Sequence, residues 1–318
     1  MHRTKRALFT VITCKLILVA CFALGELAVR LFYKTQLEIQ RDERSLTYRY
    51  DELLGWFPKE SNQQKFTGYR TISVKHNSYG FRDHEYQIKD KPRIAFLGDS
   101  FVWGFDAEED ERFTNKLQKL IPQWEVLNLG VSGYGTDQEF LLLKKWHPII
   151  QPNIVFLVYT AGSDDLDNLK KINFHRYFKP YFTVTDEILT LKGVPVPKGA
   201  DYLFQDYPVL FSSYFVRGLI RAIDNIRAWD GLNRSTNPTI YILRERNEDL
   251  RSKNTQFAIG FHGYTSIPFG DKERQFCDHI GIPCIDLSTQ LVYPGTGNHW
   301  TPQGHDLVAQ RIYKFLHQ

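Results

Sequence analysis

The sequence holds only four cysteines in 318 residues, and their spacing does not match a zinc site. Cys14 and Cys21 lie in an apolar segment, where a cysteine serves as a small hydrophobic residue. Cys277 and Cys284 flank a predicted helix-to-strand turn, where either a disulfide or two buried thiols fits. No metal or cofactor is expected from these residues.

A strong charge of one sign is also missing. The formal net charge is +4, and Lys and Arg are scattered without the basic stripe of nucleic-acid-binding proteins, so nucleic acid is not an expected partner. The chain has no internal repeats and no low-complexity tracts. Because 42% of the residues are hydrophobic and 14% are aromatic, a packed core is expected and global disorder is excluded.

One long apolar run, residues 7–33, follows a basic N-terminal stub and has the length of a transmembrane helix, although Lys15 and Glu26 interrupt it. The basic stub favours a cytoplasmic N-terminus, which makes the rest extracytoplasmic, in the periplasm or on the outer face. A cleaved signal peptide and a lipoprotein site at Cys21 are the alternatives. The run continues to Phe32, which suits an uncleaved anchor better.

The composition divides the chain into three regions. Residues 1–33 are predicted as the stub and anchor, 34–90 as a membrane-proximal spacer and extended arm, and 91–318 as the main domain, with an insertion at about 168–236.

In the main domain strands alternate with helices, which predicts an α/β three-layer sandwich with a parallel sheet. The predicted strands are 93–97, 125–129, 154–159, 257–261 and 282–287. A hairpin is predicted at 181–191, and helices at 113–121, from Thr136 or Asp137 to Trp146, at 211–229, from Pro238, and from Pro302.

The most informative segment is the turn Gly98-Asp99-Ser100, which follows the first predicted strand of the domain. Open α/β sheets bind ligands at this carboxyl edge. A serine there is a nucleophile if a base takes its proton. His299, in the loop before the last helix, is able to reach the same edge.

Two segments between them extend the pattern: Gly133 lies in the stretch 128–138, and Asp164 lies in Gly-Ser-Asp-Asp at 162–165. In this order the segments resemble the GDSL/SGNH hydrolase family. Asn-Ser-Tyr-Gly-Phe-Arg at 77–82 is similar to the lead-in of a membrane-anchored bacterial branch. The resemblance implies five strands in flavodoxin-like order, Ser100 as nucleophile, His299 as base, and backbone N–H groups of Ser100 and Gly133 as oxyanion donors.

The sequence departs from the family pattern at two points. The third oxyanion donor of the family is an Asn, and Asp164 stands at that position. Because an ionised carboxylate only accepts hydrogen bonds, Asp164 helps only if it is protonated, unless Ser163 donates instead. The family's acid before the histidine falls on Thr296 or Gly297, so a backbone carbonyl would have to hold His299 in a Ser-His dyad.

The expected function is an extracytoplasmic serine esterase, acyl hydrolase or acyltransferase that acts on an acyl ester, above all an acetyl ester, of a glycan or lipid. The alternative is a catalytically impaired binding or scaffold subunit in envelope polysaccharide assembly. The substrate and the membrane, through the N-terminal helix, are the expected partners, and no protein partner is indicated.

Overall fold

The computed structural model describes residues 2–86, 90–174, 176–229, 236–263, 271–295 and 297–317, with the backbone alone for 2–5 and 271–274. The chain divides into two compact units. The sheet unit holds Arg41–Pro197 and Asn233–Gln318, and the N-terminal unit holds Met1–Gln40 and Lys198–Leu232. The second half of the predicted insertion therefore groups with the N-terminal residues.

The region before the sheet, predicted as a spacer and extended arm after the anchor, contains three helices and two antiparallel hairpins. Asp42 begins the third helix, because its side chain accepts a hydrogen bond from Ser45 N (2.8 Å). The elements are α1 (His2–Phe32), α2 (Lys34–Leu37), α3 (Glu43–Thr47), β1 (Tyr48–Asp51), β2 (Gly55–Pro58), β3 (Gln63–Thr67) and β4 (Thr71–Lys75).

The rest of the chain alternates strands and helices and carries the insertion between its third and fourth sheet strands. The first part is β5 (Arg93–Leu97), α4 (Ser100–Trp103), α5 (Phe113–Leu120), β6 (Glu125–Asn128), α6 (Thr136–Ile150), β7 (Ile154–Ala161) and α7 (Asp164–Asp167). The insertion contains β8 (Ile172–Asn173), β9 (Tyr177–Phe178), β10 (Tyr181–Thr185), β11 (Ile188–Lys192), α8 (Ala200–Asp206) and α9 (Tyr214–Ala228). The chain ends with α10 (Thr239–Ser252), β12 (Gln256–Gly263), α11 (Asp271–Ile280), β13 (Cys284–Asp286) and α12 (Pro302–Phe315).

Five parallel strands form the central sheet in the order β13-β12-β7-β5-β6. Numbered along the chain this is 2-1-3-4-5, the flavodoxin-like order, so the predicted fold class is confirmed. Every residue of β5 is buried, as expected for a strand covered on both faces. Helix α5 packs on α12 and α6 packs on α10, which gives the outer layers.

Several predicted bounds differ from the structure. Helix α6 starts after Gly135 rather than at a cap from Thr136 or Asp137, because Asp137 N donates to Asn168 and is already inside the helix. The helix continues past Trp146 to Ile150 and is ended by Gln151, which has a φ of 43°. The last strand, predicted as 282–287, is shortened to Cys284–Asp286.

The two cysteines near the C-terminus form a disulfide, Cys277–Cys284, which decides between the two alternatives left by the sequence. The predicted hairpin is present as β10 and β11. Helix α9 is also present. Its isoleucines have helical spacing, which predicts one apolar side, but Ile223 and Ile226 are 43% and 71% exposed, because periodicity does not say which side of a helix the fold covers.

Candidate active site

Ser100 lies at the carboxyl edge of the sheet, as the first residue of α4 directly after β5. Gly98 permits this sharp turn, since a Cβ there would stand 2.3 Å from Cγ2 of Val102 and 3.1 Å from the carbonyl oxygen of Val158. Asp99 caps the short helix by accepting a hydrogen bond from Phe101 N (2.9 Å). The turn therefore fixes the direction of the Ser100 side chain.

His299 reaches Ser100 from the loop before α12, and its Nε2 lies 2.7 Å from the serine Oγ. The imidazole stacks on the ring of Phe105 at 4.2 Å and also contacts Phe101 at 5.0 Å. Its backbone carbonyl accepts a hydrogen bond from Tyr293 N (2.8 Å). The two aromatic rings and the backbone bond hold the imidazole at the hydroxyl, so the arrangement permits proton transfer between them.

Gly133 lies on the wall of the same cavity, in the loop after β6, with a φ of 81° that favours glycine. A Cβ here would come within 2.6 Å of the Phe174 ring and 3.2 Å of Nη1 of Arg44. Among the described residues, no acceptor takes the backbone N–H of Ser100 or of Gly133. Both groups are thus available to an oxyanion.

The cavity has a volume of about 540 Å³ and a wall of mixed polar and apolar character. It is lined by Glu43, Arg44, Asp99, Ser100, Phe105, Ser132, Gly133, Tyr134, Ser163, Asp167, Lys170, Asn173, Phe174, Gly297 and His299. Three of the four predicted site residues, Ser100, Gly133 and His299, are therefore brought together, whereas Asp164 is not on the wall.

Residues from the arm hold the Gly133 loop in place, which the sequence analysis did not anticipate. Ser132 N donates to the hydroxyl oxygen of Tyr48 (2.9 Å), and Ser132 Oγ donates to Oε1 of Glu43 (2.6 Å). Trp56 Nε1 donates to the carbonyl oxygen of Ser132 (3.2 Å). All four residues are buried, so these hydrogen bonds fix the loop from the side of the arm.

Arg44 is the second contribution that the sequence analysis missed. Its guanidinium pairs with Glu43 (2.5 Å) and Asp42 (3.1 Å) and lies over the Phe174 ring at 3.7 Å. Burial raises the pKa of Glu43, against the opposing effect of Arg44. No motif marks these residues, because they lie in a polar stretch that predicts only a spacer.

Asp164 lies behind the cavity wall and is 1% exposed. Its Oδ2 accepts a hydrogen bond from Thr160 N (3.0 Å). Burial, followed by the negative charges of Glu139 and Asp99, raises the pKa of Asp164 well above its ordinary value. A protonated carboxyl is therefore favoured here, which is the state that the sequence analysis required of a donor.

Two residues of the cavity wall carry side-chain donors. Ser163 directly precedes Asp164 in the chain, and Asn173 of β8 donates through Nδ2 to the carbonyl oxygen of Gly133 (3.1 Å). An amide nitrogen has two N–H groups, so Asn173 keeps a second donor. No motif in the sequence marks Asn173, because it comes from the insertion.

Gly297 is one of the two positions at which the family's orienting acid would fall, and there is no space for an acidic side chain there. Its φ is 75°, and a Cβ would stand 2.9 Å from Cε1 of His299. The other position, Thr296, lies outside the described residues. Behind the site, His262 packs on Phe101 at 4.1 Å, and burial, with a smaller effect of His299, lowers its pKa to about 3. The His262 imidazole is therefore uncharged at neutral pH and serves to pack against Phe101.

In the described part of the chain, no group of three or more His, Cys, Asp or Glu residues could hold a metal ion. The arrangement at Ser100 brings a serine hydroxyl, an imidazole and the backbone N–H groups of Ser100 and Gly133 to one cavity.

Comparison with known proteins gives likeness at the level of structure alone. No family model matches the chain, and no curated protein matches it. Among solved structures, a member of the lipolytic protein G-D-S-L family from Veillonella parvula is 12% identical, with a TM-score of 0.40, over 71% of this chain and 98% of that one. The psychrotrophic esterase EstA from Pseudoalteromonas sp. is 11% identical, with a TM-score of 0.41, over 72% and 100%.

A third similar structure is CEX, a two-domain esterase active on acetylated mannans. It is 12% identical, with a TM-score of 0.41, over 71% of this chain and 48% of that one. These neighbours are esterases or lipolytic proteins by name. Because identities and TM-scores are low, the functional argument for this chain rests on its own geometry.

Proposed function

We propose that this chain is a serine esterase, acyl hydrolase or acyltransferase with Ser100 as nucleophile and His299 as base. The observation that carries the proposal is the 2.7 Å contact between Ser100 Oγ and His299 Nε2 on the cavity wall. His299 takes the hydroxyl proton while Oγ attacks the carbonyl carbon of an acyl ester. The N–H groups of Ser100 and Gly133 donate to the resulting oxyanion.

The tetrahedral intermediate then collapses to an acyl-Ser100 ester. The bond to the alcohol oxygen breaks, and Nε2 of His299 gives its proton to that oxygen. Water or an acceptor hydroxyl attacks the acyl group next, with its proton going to His299. Ser100 leaves with that proton, and the site is restored.

Asp164 as a third donor stays a prediction that no described contact supports, since its Oδ2 accepts a hydrogen bond from Thr160 N and the residue does not line the cavity. We assign the third donor to Asn173, whose side chain lies on the wall beside Gly133. This assignment places an amide from the insertion at the oxyanion, in place of the Asn that the segment 162–165 lacks.

An acetyl ester of a glycan or lipid is the proposed substrate, and the proposed location is extracytoplasmic with α1 as a single-pass anchor. The mixed charges of Glu43, Arg44 and Lys170 suit a hydroxyl-rich ligand. Arg6–Phe32 is long and apolar enough to cross a bilayer. The disulfide Cys277–Cys284 is of a kind that persists in oxidising compartments.

A second candidate, a binding or scaffold subunit that has lost turnover, is favoured by two positions. Gly297 supplies no carboxylate to His299, and Asp164 replaces the family's amide.

An esterase assay on the purified full chain separates the two candidates. With p-nitrophenyl acetate we expect turnover that Ser100→Ala abolishes and that His299→Ala lowers on the order of 10⁴-fold. Ser252→Ala, an exposed serine of α10 that does not line the cavity, is the matched control and should retain full activity. Turnover equal in the wild-type chain and Ser100→Ala would contradict the enzyme and favour the scaffold.

A further inference from the structure

Helix α1 supplies the cap of α9, the amphipathic helix of the insertion. Oε2 of Glu26 accepts hydrogen bonds from Ser213 Oγ (2.7 Å) and Phe215 N (2.8 Å), and Oε1 accepts from Tyr214 N (3.0 Å). The first N–H groups of a helix have no partner within the helix, and a carboxylate is favourable there. Glu26, which interrupts the apolar run, is thus explained by its contact with α9.

Further residues of α1 and α9 extend this contact within the N-terminal unit. The rings of Phe22 and Phe215 meet edge to face at 5.5 Å, and a Cβ on Gly25 would stand 3.0 Å from the Phe215 ring. Arg30 Nη2 donates to the carbonyl oxygen of Ser212 (3.1 Å). The first turn of α9 is therefore docked on residues 22–30 of α1.

The position of this contact along α1 corresponds to a particular depth in a bilayer. A helix rises about 1.5 Å per residue, so about 20 residues cross a hydrocarbon core of about 30 Å. Counted from Ala7, that length ends near Glu26. Glu26 and Arg30, both charged and paired with each other, mark the same level as the end of the apolar stretch. The start of α9 thus lies where α1 would leave the hydrocarbon.

One side of α9 is covered within the N-terminal unit, where Val216 and Ile220 pack on Phe204 and Phe211. A second apolar stripe, with the spacing of one helix face, is exposed. It consists of Leu219 (51% exposed), Ile223 (43%) and Ile226 (71%), and is followed by Trp229 (82%). Contiguous exposed apolar surface of this kind marks a contact with a protein or a membrane.

We infer that this stripe of α9 rests in the interface of the bilayer that α1 crosses, on the side of Glu26. Two observations favour lipid as the occupant. Helix α9 begins at the level where α1 leaves the hydrocarbon, and the stripe ends in Trp229, close to Arg227, whose side chain is 57% exposed. Arg217 and Arg221 lie over the Phe204 ring on the covered side and do not belong to this surface. Tryptophan and an exposed arginine at the end of an amphipathic helix suit the bilayer interface and its anionic headgroups.

The inference rests on the proposed membrane anchor and also specifies it. If α1 were cleaved as a signal peptide, the first N–H groups of α9 would lose Glu26 as their acceptor. The Phe215 ring would also lose its contact with Phe22. The N-terminal helix is accordingly retained in the mature chain.

Site-directed spin labels test this placement in the full chain, reconstituted in nanodiscs of phosphatidylethanolamine and phosphatidylglycerol. Cys14→Ser and Cys21→Ser remove the free cysteines. Labels are placed at Leu219→Cys, Ile223→Cys and Ile226→Cys, with the exposed polar Asn225→Cys of the same helix as matched control. Collision with oxygen, relative to a water-soluble nickel chelate, should be several-fold higher at the three stripe positions than at 225.

Equal, water-like accessibility at the stripe and at 225 would overturn the inference. Alkaline extraction of the same chain reports on the anchor separately, because release of the uncleaved chain from membranes would contradict the anchor itself. Glu26→Ala should remove the oxygen preference at 223 and 226, while Glu26→Gln, which keeps an acceptor, should lose less of it. An unchanged profile in Glu26→Ala would contradict the docking of α9 on α1.

Discussion

The hydroxyl of Ser100 lies 2.7 Å from Nε2 of His299, although 199 positions separate the two residues in the chain. The contact follows from the order of the sheet. Ser100 follows β5, a central strand, and His299 lies in the loop that leads from the edge strand β13 to α12. The remaining elements of the site come from the loop after β6, from the insertion and from the arm.

Tyr48→Phe should lower kcat. It removes the hydroxyl oxygen that accepts a hydrogen bond from Ser132 N, and so loosens the Gly133 loop. A buried donor left without a partner costs about 1–3 kcal/mol, which should appear as a lower free energy of unfolding. Steady-state kinetics and denaturant unfolding measure both effects. Tyr69→Phe, which removes a hydroxyl at a position 53% exposed, is the control. A kcat equal to that of the control would show that the arm does not position the loop.

Asn173→Ala should reduce kcat on the order of 100-fold, with a smaller effect on KM, if its amide donates to the oxyanion. Asn173→Asp should be more damaging, since a carboxylate beside Gly133 would repel the developing negative charge. Kinetics with an activated acetate ester provide the comparison. Equal kcat values for Asn173→Ala and the wild-type chain would remove Asn173 from the oxyanion site.

Asp164→Asn should increase the free energy of unfolding at neutral pH, because it removes the cost of burying a carboxyl that is ionised in the unfolded chain and must take up a proton on folding, its pKa being raised by burial and by nearby acids. Asn keeps an oxygen to accept the Thr160 N–H. Activity should change little, since Asp164 does not line the cavity. A large gain or loss in kcat would instead place Asp164 in the reaction.

The stability of the chain should also depend on Asp99. Burial raises the pKa of Asp99 from 3.8 to about 6 in the folded state. The folded state therefore holds this proton more strongly than the unfolded state. Its contribution is full below about pH 4 and is lost as the pH rises through 6, and it amounts to about 3 kcal/mol.

Asp99→Asn keeps an acceptor for Phe101 N and should flatten the fall in unfolding free energy between pH 4 and pH 7. Denaturant unfolding across that range measures the change, with the exposed Asp110→Asn as control. A curve for Asp99→Asn that falls as steeply as that of Asp110→Asn would rule out this role of Asp99.

The parts of the site that the sequence predicts are those with a local signal. An apolar strand followed by a glycine turn locates Ser100, and the helix start at Thr301 and Pro302 locates His299. Glu43 and Arg44 have no such signal. Their side chains are charged, which predicts exposure, and Glu43 contacts a serine 89 positions away. Burial of these groups follows from tertiary packing, which periodicity does not encode.

Helix α9 also shows that periodicity does not predict which face of a helix is buried. The spacing of Ile220, Ile223 and Ile226 predicts a helix, and the helix is present. Which apolar stripe is covered depends on the neighbours, and only Ile220 packs against the core of the N-terminal unit. The exposed stripe becomes intelligible once the contact of Glu26 with Tyr214 and Phe215 is known.

Covalent labelling of Ser100 tests the central claim most directly. The full chain is treated with a fluorophosphonate, and the modified peptide is identified by mass spectrometry beside His299→Ala and the exposed control Ser252→Ala. We expect a phosphonyl group on Ser100 in the wild-type chain and in Ser252→Ala, and slow or absent labelling in His299→Ala, since Nε2 activates the hydroxyl. Failure of Ser100 to label, in a chain shown to be folded, would contradict the account.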